Sequence, residues 1–194
     1  MNKKRNTILM ISLSFIAAVS LVTADGRHHL FANDKNAERE IAGLVDRILD
    51  ETDEARKREL IKKLRAYPPP EVSARWVKKL NGAVRESTIV RVIDAMSDFN
   101  DRSFVLPLAE HLVSSHYAVR KSAARALKKV GDDRLFPVIL KMVNSPVPVH
   151  RIYFIEAMNY LFDQRFYPSL TGLLRDENKS IRIYVLNCLK ENRI

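Results

Sequence analysis

Glycine is scarce in this chain, with 5 residues among 194. No stretch alternates apolar and polar residues as a half-buried strand does, and the turns that close β-hairpins are missing. These absences argue against a β-rich fold and leave helices as the expected regular structure.

Cysteine is nearly absent too, since Cys188 is the single one. One cysteine excludes an intramolecular disulfide, and its position among apolar residues favours a buried, inert thiol over a redox centre. Because no cysteine lies near residue 24, a lipid anchor of the bacterial lipoprotein kind is excluded as well.

The motifs that usually carry catalysis are also missing. The chain has no cysteine–histidine cluster, no glycine-rich phosphate loop and no nucleophile elbow. His28 and His29 are adjacent in a polar segment, without the helical i, i+4 spacing of a metal site. The other histidines, His111, His116 and His150, are scattered. We therefore expect no enzymatic activity, no metal and no cofactor.

The N-terminus carries a targeting pattern. Three basic residues at positions 3–5 precede an uncharged stretch, and small or branched residues fit a cleavage site after Ala24. Residues 1–24 are therefore predicted to be a secretory signal that sends the protein to the periplasm or an equivalent outer space. The alternative is an uncleaved membrane anchor over residues 7–24, with the rest of the chain outside.

Basic residues outnumber acidic ones by 33 to 23, which gives a formal net charge of +10. Residues 1–24 hold three basic residues and no acidic ones, so the remainder carries +7. An exported basic protein meets anionic lipid headgroups or acidic cell-wall polymers rather than nucleic acid. Residues 25–35 are predicted to be a short polar linker.

The stretch from Ser114 to Val143 contains one complete helix–turn–helix pattern. Five small or apolar residues follow the i, i+4, i+7, i+8, i+11 spacing of an amphipathic helix. Gly131 is expected to end this helix, Asp133 to cap the next one, and Pro137 to lie in its first turn, where its missing donor costs nothing. The five residues are Val119, Ala123, Ala126, Leu127 and Val130.

The same pattern recurs about every 31 residues. Arg120, Arg151 and Arg182 are each 31 apart, and each precedes a small residue by six positions. A period of roughly 20–50 residues is the signature of a solenoid, in which each helix pair buries its apolar face on its neighbours. The small residues are Ala126, Ala157 and Cys188, and prolines recur as Pro107, Pro137 and Pro168.

We interpret the repeated arginines as part of the scaffold. A polar residue at the start of every second helix is more economically a structural ladder than three copies of a ligand site. The arginines are expected to hydrogen-bond neighbouring turns, and the turn and capping partners six residues earlier are Ser114, Ser145 and Asp176.

The segment VRKSAARALKKVGDDRLFPVILKMV at 119–143 resembles the HEAT-repeat superfamily, most closely the short HEAT-like repeats of phycobilisome lyases. Its Val-Arg start, small-residue core, Gly-Asp turn and proline-led second helix match, and weaker copies run from about Gly82 to the C-terminus. The resemblance implies an all-α, right-handed α-α superhelix that binds other macromolecules. A fold does not by itself transfer a function.

The register predicts ten helices, or about five antiparallel pairs, in one HEAT-like domain over residues 36–194. The triple proline at 68–70 is expected to form a stiff corner within that domain. The predicted helices are 36–51, 53–66, 71–80, 86–98, 102–113, 117–130, 134–144, 148–162, 165–175 and 179–191.

The resemblance places the second helix of each pair on the concave side. Its equivalent positions change from basic to apolar and aromatic toward the C-terminus, and aromatic residues are enriched at binding hot spots. The last helix is apolar on more than one side, so a partner protein or a second copy is expected to cover it. The predicted contact residues are Tyr153, Ile183, Tyr184 and Leu186; the alternative is that they pack between helices.

The favoured function is an exported, non-catalytic scaffold for protein–protein interaction. A basic surface gives the alternative, an electrostatic adaptor at an anionic envelope surface, although charges on a solenoid helix often serve solubility alone. The residues of that surface are Arg56, Lys57, Lys62, Lys63, Lys121, Arg125 and Lys128.

Overall fold

The computed structural model describes residues 35–161 and 163–193. Within these residues all regular structure is helical, in ten α-helices that form five consecutive pairs. The predicted all-α superhelix of helix pairs is therefore confirmed. The helices are α1 (Lys35–Asp50), α2 (Glu54–Leu64), α3 (Pro69–Asn81), α4 (Glu86–Phe99), α5 (Val105–Ala109), α6 (Tyr117–Val130), α7 (Leu135–Val143), α8 (Pro148–Leu161), α9 (Tyr167–Gly172) and α10 (Lys179–Glu191).

Two of the predicted helices are broken into short pieces. The stretches predicted as continuous helices over 102–113 and 165–175 consist of α5 and α9, each between two 3₁₀ turns. Pro107 and Pro168 lie in the first turn of α5 and α9, as Pro137 does in the unbroken α7, so the prolines do not by themselves break these helices. Tighter i→i+3 turns replace the α-helix around them. These turns are Arg102–Phe104, Glu110–Val113, Gln164–Phe166 and Leu173–Arg175.

The end of α6 is set by Gly131, as predicted. Its φ of +53° lies in the left-handed region, which glycine enters without the steric cost of a Cβ atom. Asn100, 31 residues earlier, ends α4 with a φ of 56°, and asparagine is among the residues that tolerate this region. A residue with positive φ therefore ends a long helix in two successive pairs.

The predicted cap by Asp133 is wrong: α7 has Arg134 at its N-cap position without a side-chain cap bond, and Asp132 caps the turn that leads into the helix. The Asp132 carboxylate accepts from the Arg134 backbone N–H at 2.9 Å, and equivalent aspartates do the same one pair before and after. Asp133 is exposed and pairs with Arg165 at 2.7 Å instead. The cap must follow the left-handed residue directly, which selects the first of the two adjacent aspartates. The three capping residues are Asp101, Asp132 and Asp163.

The helix pairs share one continuous apolar core. Helices α4, α6, α8 and α10, called here the long-helix row, pack side by side, each against the next. Small buried residues recur where these helices meet, so the backbones approach closely and larger neighbours fill the remaining space. These small residues are Ala126, Ala157 and Cys188.

The N-terminal predictions fall on a part of the chain that the structure does not cover. The signal or anchor at 1–24 and the linker up to residue 34 lie outside the described residues. From Lys35 onward, none of the described helices has the length and apolarity needed to cross a bilayer.

Candidate protein-binding surface

Three arginines form a ladder at the start of the long helices. In Arg120, Arg151 and Arg182 the Nη1 atom donates to a backbone carbonyl six residues earlier, at 2.8, 2.8 and 2.7 Å. The side chain of each residue that supplies this carbonyl accepts the amide N–H two positions on, which stabilises the turn. The predicted scaffold role is therefore confirmed. The turn residues are Ser114, Ser145 and Asp176.

The first two arginines also bind a carboxylate from the following helix pair. Arg120 Nε donates to Glu156 at 2.7 Å. Arg151 donates through Nε and Nη2 to the two oxygens of Asp176, at 2.7 and 3.0 Å. The Arg151 and Asp176 side chains are only 9% and 5% exposed. These contacts connect the third pair to the fourth and the fourth to the fifth.

Asp176 is held in its ionised form. Desolvation by burial would raise its pKa, but hydrogen bonds from the Arg151 guanidinium and the Asn178 amide N–H outweigh it and lower the pKa below its ordinary value. The carboxylate and the guanidinium therefore form a true ion pair at neutral pH. Because water is largely excluded, this pair depends on both partners being present.

A tyrosine cluster, defined as Tyr117, Tyr153 and Tyr160, lies where α6 meets α8. The Arg120 guanidinium carbon is 4.0 Å from the ring centre of Tyr153 and 5.6 Å from that of Tyr117, within range of a cation–π interaction. The Tyr117 and Tyr160 hydroxyls are 3.0 Å apart. This hydrogen bond, together with desolvation, raises the pKa of Tyr117.

The sequence indicated Tyr153 in this cluster but missed Tyr117 and Tyr160. Tyr153 and Tyr160 are seven residues apart on α8, which is a spacing that places two residues on one helix face. That spacing could have identified Tyr160. Tyr117 belongs to α6 and meets Tyr160 only through the packing of the two helices, so no local pattern indicates it.

The other three predicted contact residues all lie on the last helix, where Ile183 and Leu186 are one turn apart on one side and Tyr184 lies on another side. Ile183, Tyr184 and Leu186 are 47%, 45% and 56% exposed, and we call them the α10 face. Tyr153 does not join them, because it is half-buried against Arg120. The predicted site therefore divides into a packed aromatic part and an exposed apolar part. The opposite side of α10 is buried and holds Ile181, Val185 and Cys188.

The predicted basic surface is divided as well. Lys57 is paired with Asp98, and Lys121 lies against the Tyr160 ring, with Nζ 5.9 Å from its centre. The remaining predicted residues are exposed in two groups, one on α2 and one on α6. The α2 group is Arg56, Lys62 and Lys63, and the α6 group is Arg125 and Lys128.

Asp98 of α4 connects α2 to α6. Its carboxylate accepts from Lys57 Nζ at 2.6 Å and from Lys129 Nζ at 3.1 Å. Partial burial would raise its pKa, but these two bonds lower the pKa of Asp98 below its usual value. An open groove of about 500 Å³ lies beside it, in which five cationic side chains face two carboxylates. The cations are Lys57, Arg58, Lys62, Arg65 and Lys129.

The histidines of the described residues are held apart by different partners. The ring Nδ1 atoms of His111, His116 and His150 are each 3.1 Å from an oxygen of a different residue. Across residues 35–161 and 163–193, no three His, Cys, Asp or Glu side chains converge as metal ligands. The partner residues are Pro107, Glu86 and Ser145.

No protein-family model matches the chain, and none of the curated proteins matches it. Among solved structures, the chain is similar to one in the complex of CpcE and CpcF of phycocyanin lyase from Nostoc sp. PCC7120. The match has 15% identity and a TM-score of 0.43, and it covers 76% of this chain and 63% of that one. The chain thus spans less than two thirds of the matched chain, and the similarity concerns the fold alone.

Proposed function

We propose that this chain is a non-catalytic scaffold that presents the long-helix row to a partner protein. The observation that carries the proposal is the α10 face, where Ile183 and Leu186, one turn apart, and Tyr184 are each about half exposed. Single exposed apolar residues are ordinary, but adjacent ones mark interaction sites. Tyrosine is also enriched among the residues that dominate binding energy.

The tyrosine cluster supports a binding role rather than a catalytic one. Within the cluster the Tyr117 and Tyr160 hydroxyls bind each other, and beside it Arg120 binds Glu156. Such pairing fixes the shape of a surface. General acid–base catalysis instead needs a group positioned to exchange a proton with a substrate.

The proposal places this scaffold outside the cytoplasm, exported by residues 1–24. The support is the basic start, the uncharged stretch and the cleavage pattern at Ala24. Fusing residues 1–24 to a reporter that is active only after export tests this location. A reporter that remains cytoplasmic would contradict it.

Affinity capture from an envelope extract tests the binding function. We expect residues 25–194 to capture a partner and the double variant Ile183→Ser, Tyr184→Lys to lose it. Circular dichroism should show the same helical content for both proteins, because these side chains are exposed. Capture that persists in the folded double variant would move the site away from the α10 face.

A matched control uses two other exposed apolar residues. Val84 and Leu106 are 92% and 49% exposed and lie outside the long-helix row. The variant Val84→Ser, Leu106→Lys changes apolarity and charge as the test variant does, and it should capture the partner normally. Loss of capture in this control would show that the test reports general surface chemistry.

The groove beside Asp98 favours a second candidate function, an electrostatic adaptor at an anionic membrane surface. Its five cations against two carboxylates attract anions. Sedimentation with vesicles containing phosphatidylglycerol would show binding that falls steeply as salt rises. The double variant Arg58→Gln, Lys62→Gln should weaken it, whereas Ile183→Ser should not.

A further inference from the structure

The last rung of the arginine ladder differs from the two before it. Arg182 holds the carbonyls of Asp176 and Glu177 at 2.7 and 3.1 Å, as Arg120 holds those of its own turn. Its guanidinium therefore has the same position relative to its helix. Among the described residues, however, no carboxylate is paired with Arg182 in the way that Glu156 pairs with Arg120.

The carboxylate at the earlier rungs always comes from the next helix pair. Glu156 lies on α8, which packs on α6, and Asp176 precedes α10, which packs on α8. A helix that covers α10 in the same way would bring its own polar groups to Arg182. The Arg182 guanidinium is partly covered and has no hydrogen bond to a carboxylate among the described residues, although its charge acts on nearby Asp176. Such a group favours a carboxylate there, since charge-assisted hydrogen bonds are among the strongest in proteins.

The residues around Arg182 also favour an acidic partner. Leu186 is one helical turn from Arg182, so the guanidinium borders the apolar α10 face. Over residues 177–193, which contain α10 and its two ends, the charged side chains are four cations and two anions. This part of the chain therefore combines the exposed apolar pair Ile183 and Leu186 with a net positive charge. These charged residues are Lys179, Arg182, Lys190, Arg193, Glu177 and Glu191.

We propose that α10 binds an acidic amphipathic helix of a partner protein, with a partner carboxylate on Arg182 and apolar contacts on Ile183 and Leu186. This inference rests on the proposed scaffold function and names the chemistry of its partner. A second copy of α10 is a poorer occupant, because two net positive helices would face each other. The basic groove beside Asp98 is a separate surface, so both sites need distinct controls.

Three synthetic peptides of one amphipathic helical design test this chemistry. They share one apolar stripe and carry Glu, Gln or Lys at the positions that flank it. Fluorescence anisotropy with residues 25–194 should show the Glu peptide binding about tenfold more tightly than the Gln peptide, and the Lys peptide most weakly. Equal affinities for the three peptides, or no binding by any of them, would overturn the inference.

Arg182→Gln should bring the affinity for the Glu peptide down to that for the Gln peptide. Lys63→Gln removes the same charge from exposed α2 and should leave the preference intact. Arg182→Lys keeps the charge but loses the planar edge, so an intermediate preference is expected. If Arg182→Gln and Lys63→Gln behave alike, the preference arises from net charge and the inference is wrong.

Ile183→Ser should weaken all three peptides by a similar factor. Sedimentation velocity of the wild-type protein alone tests whether a second copy of the chain occupies α10. A dimer that dissociates in Ile183→Ser would show that the occupant is a second copy and not an acidic helix of a partner protein. If the peptides fail while capture through the α10 face persists, the scaffold function remains and this inference is wrong. If capture also fails, the scaffold function is wrong too.

Discussion

Tyr153 and Tyr184 occupy the same position in successive repeats, yet their surroundings differ. Tyr153 is covered, because its ring lies 4.0 Å from the Arg120 guanidinium carbon. Tyr184 is 45% exposed and belongs to the α10 face. The difference shows that a residue's place in the array, rather than its type, decides whether it packs or forms surface. The arginines of the same helices differ in the same way: Arg151 of α8 is buried, whereas Arg182 of α10 is partly exposed.

The largest expected effect on stability comes from breaking the ion pair between Arg151 and Asp176. Asp176→Ala removes the buried carboxylate that binds Arg151 through two hydrogen bonds and leaves only the exposed Glu177, 3.7 Å away. Removing one partner of a buried ion pair typically costs about 3–5 kcal/mol. Urea unfolding followed by circular dichroism measures the free energy of unfolding. Glu177→Ala is the comparison variant: it removes the exposed carboxylate 3.7 Å from the same arginine, and because Glu177 is 86% exposed it should cost far less. Equal losses would mean that the ion pair is not the cause.

Acid should weaken the same ion pair without any mutation. The folded-state pKa of Asp176 lies below its unfolded value of about 3.9. Its contribution to stability is therefore complete above about pH 4 and is lost as the pH falls through the folded-state pKa. Urea unfolding between pH 5 and pH 2.5 should show a shallower acid dependence in Asp176→Ala than in the wild type. Parallel pH profiles would contradict this assignment.

The two tyrosines give a matched pair of intermediate and small effects. Tyr153→Ala removes a cation–π contact and half-buried ring area, so we expect it to cost about 1–2 kcal/mol of unfolding free energy. Tyr184→Ala should change stability by less than about 0.5 kcal/mol. A similar cost for both would show that Tyr184 also packs, which would remove the α10 face as a free surface.

The smallest effect on the free energy of unfolding among the arginine contacts is expected at Arg182. Arg182→Gln loses hydrogen bonds to two carbonyls at a partly exposed position but breaks no ion pair among the described residues. The free energy of unfolding should fall by no more than about 1 kcal/mol. A loss comparable to that of Asp176→Ala would show that Arg182 already has a charged partner.

Much of the fold could be predicted from the sequence, because each repeat carries its own local signals. The register located the long helices, Gly131 marked a helix end, and the arginine spacing indicated a structural ladder. The sequence could not decide between adjacent residues of the same chemistry, because the backbone geometry determines which of them makes the contact. Asp132 and Asp133 have the same chemistry, and only the backbone reversal at Gly131 selects the first as the cap.

The candidate site could be predicted less well, because exposure and contact across helices are tertiary properties. Ile183 and Tyr153 both fit a core or a surface role by spacing alone, and packing alone separates them. The contact between Tyr117 and Tyr160 spans 43 residues. Likewise, Asp98 connects cations of α2 and α6 that lie far apart along the chain.

Cys188 makes the last helix observable without any added label. It is the single cysteine of the chain and is buried on the side of α10 that packs against the core. Burial raises the pKa of its thiol, and the thiolate is the form that alkylating reagents attack. Reaction therefore requires α10 to detach transiently, so the alkylation rate reports how often these local openings occur. A ligand bound to the outer side of α10 would make these openings rarer and so lower the alkylation rate of Cys188, and the decrease would be larger for a ligand that holds the helix more firmly.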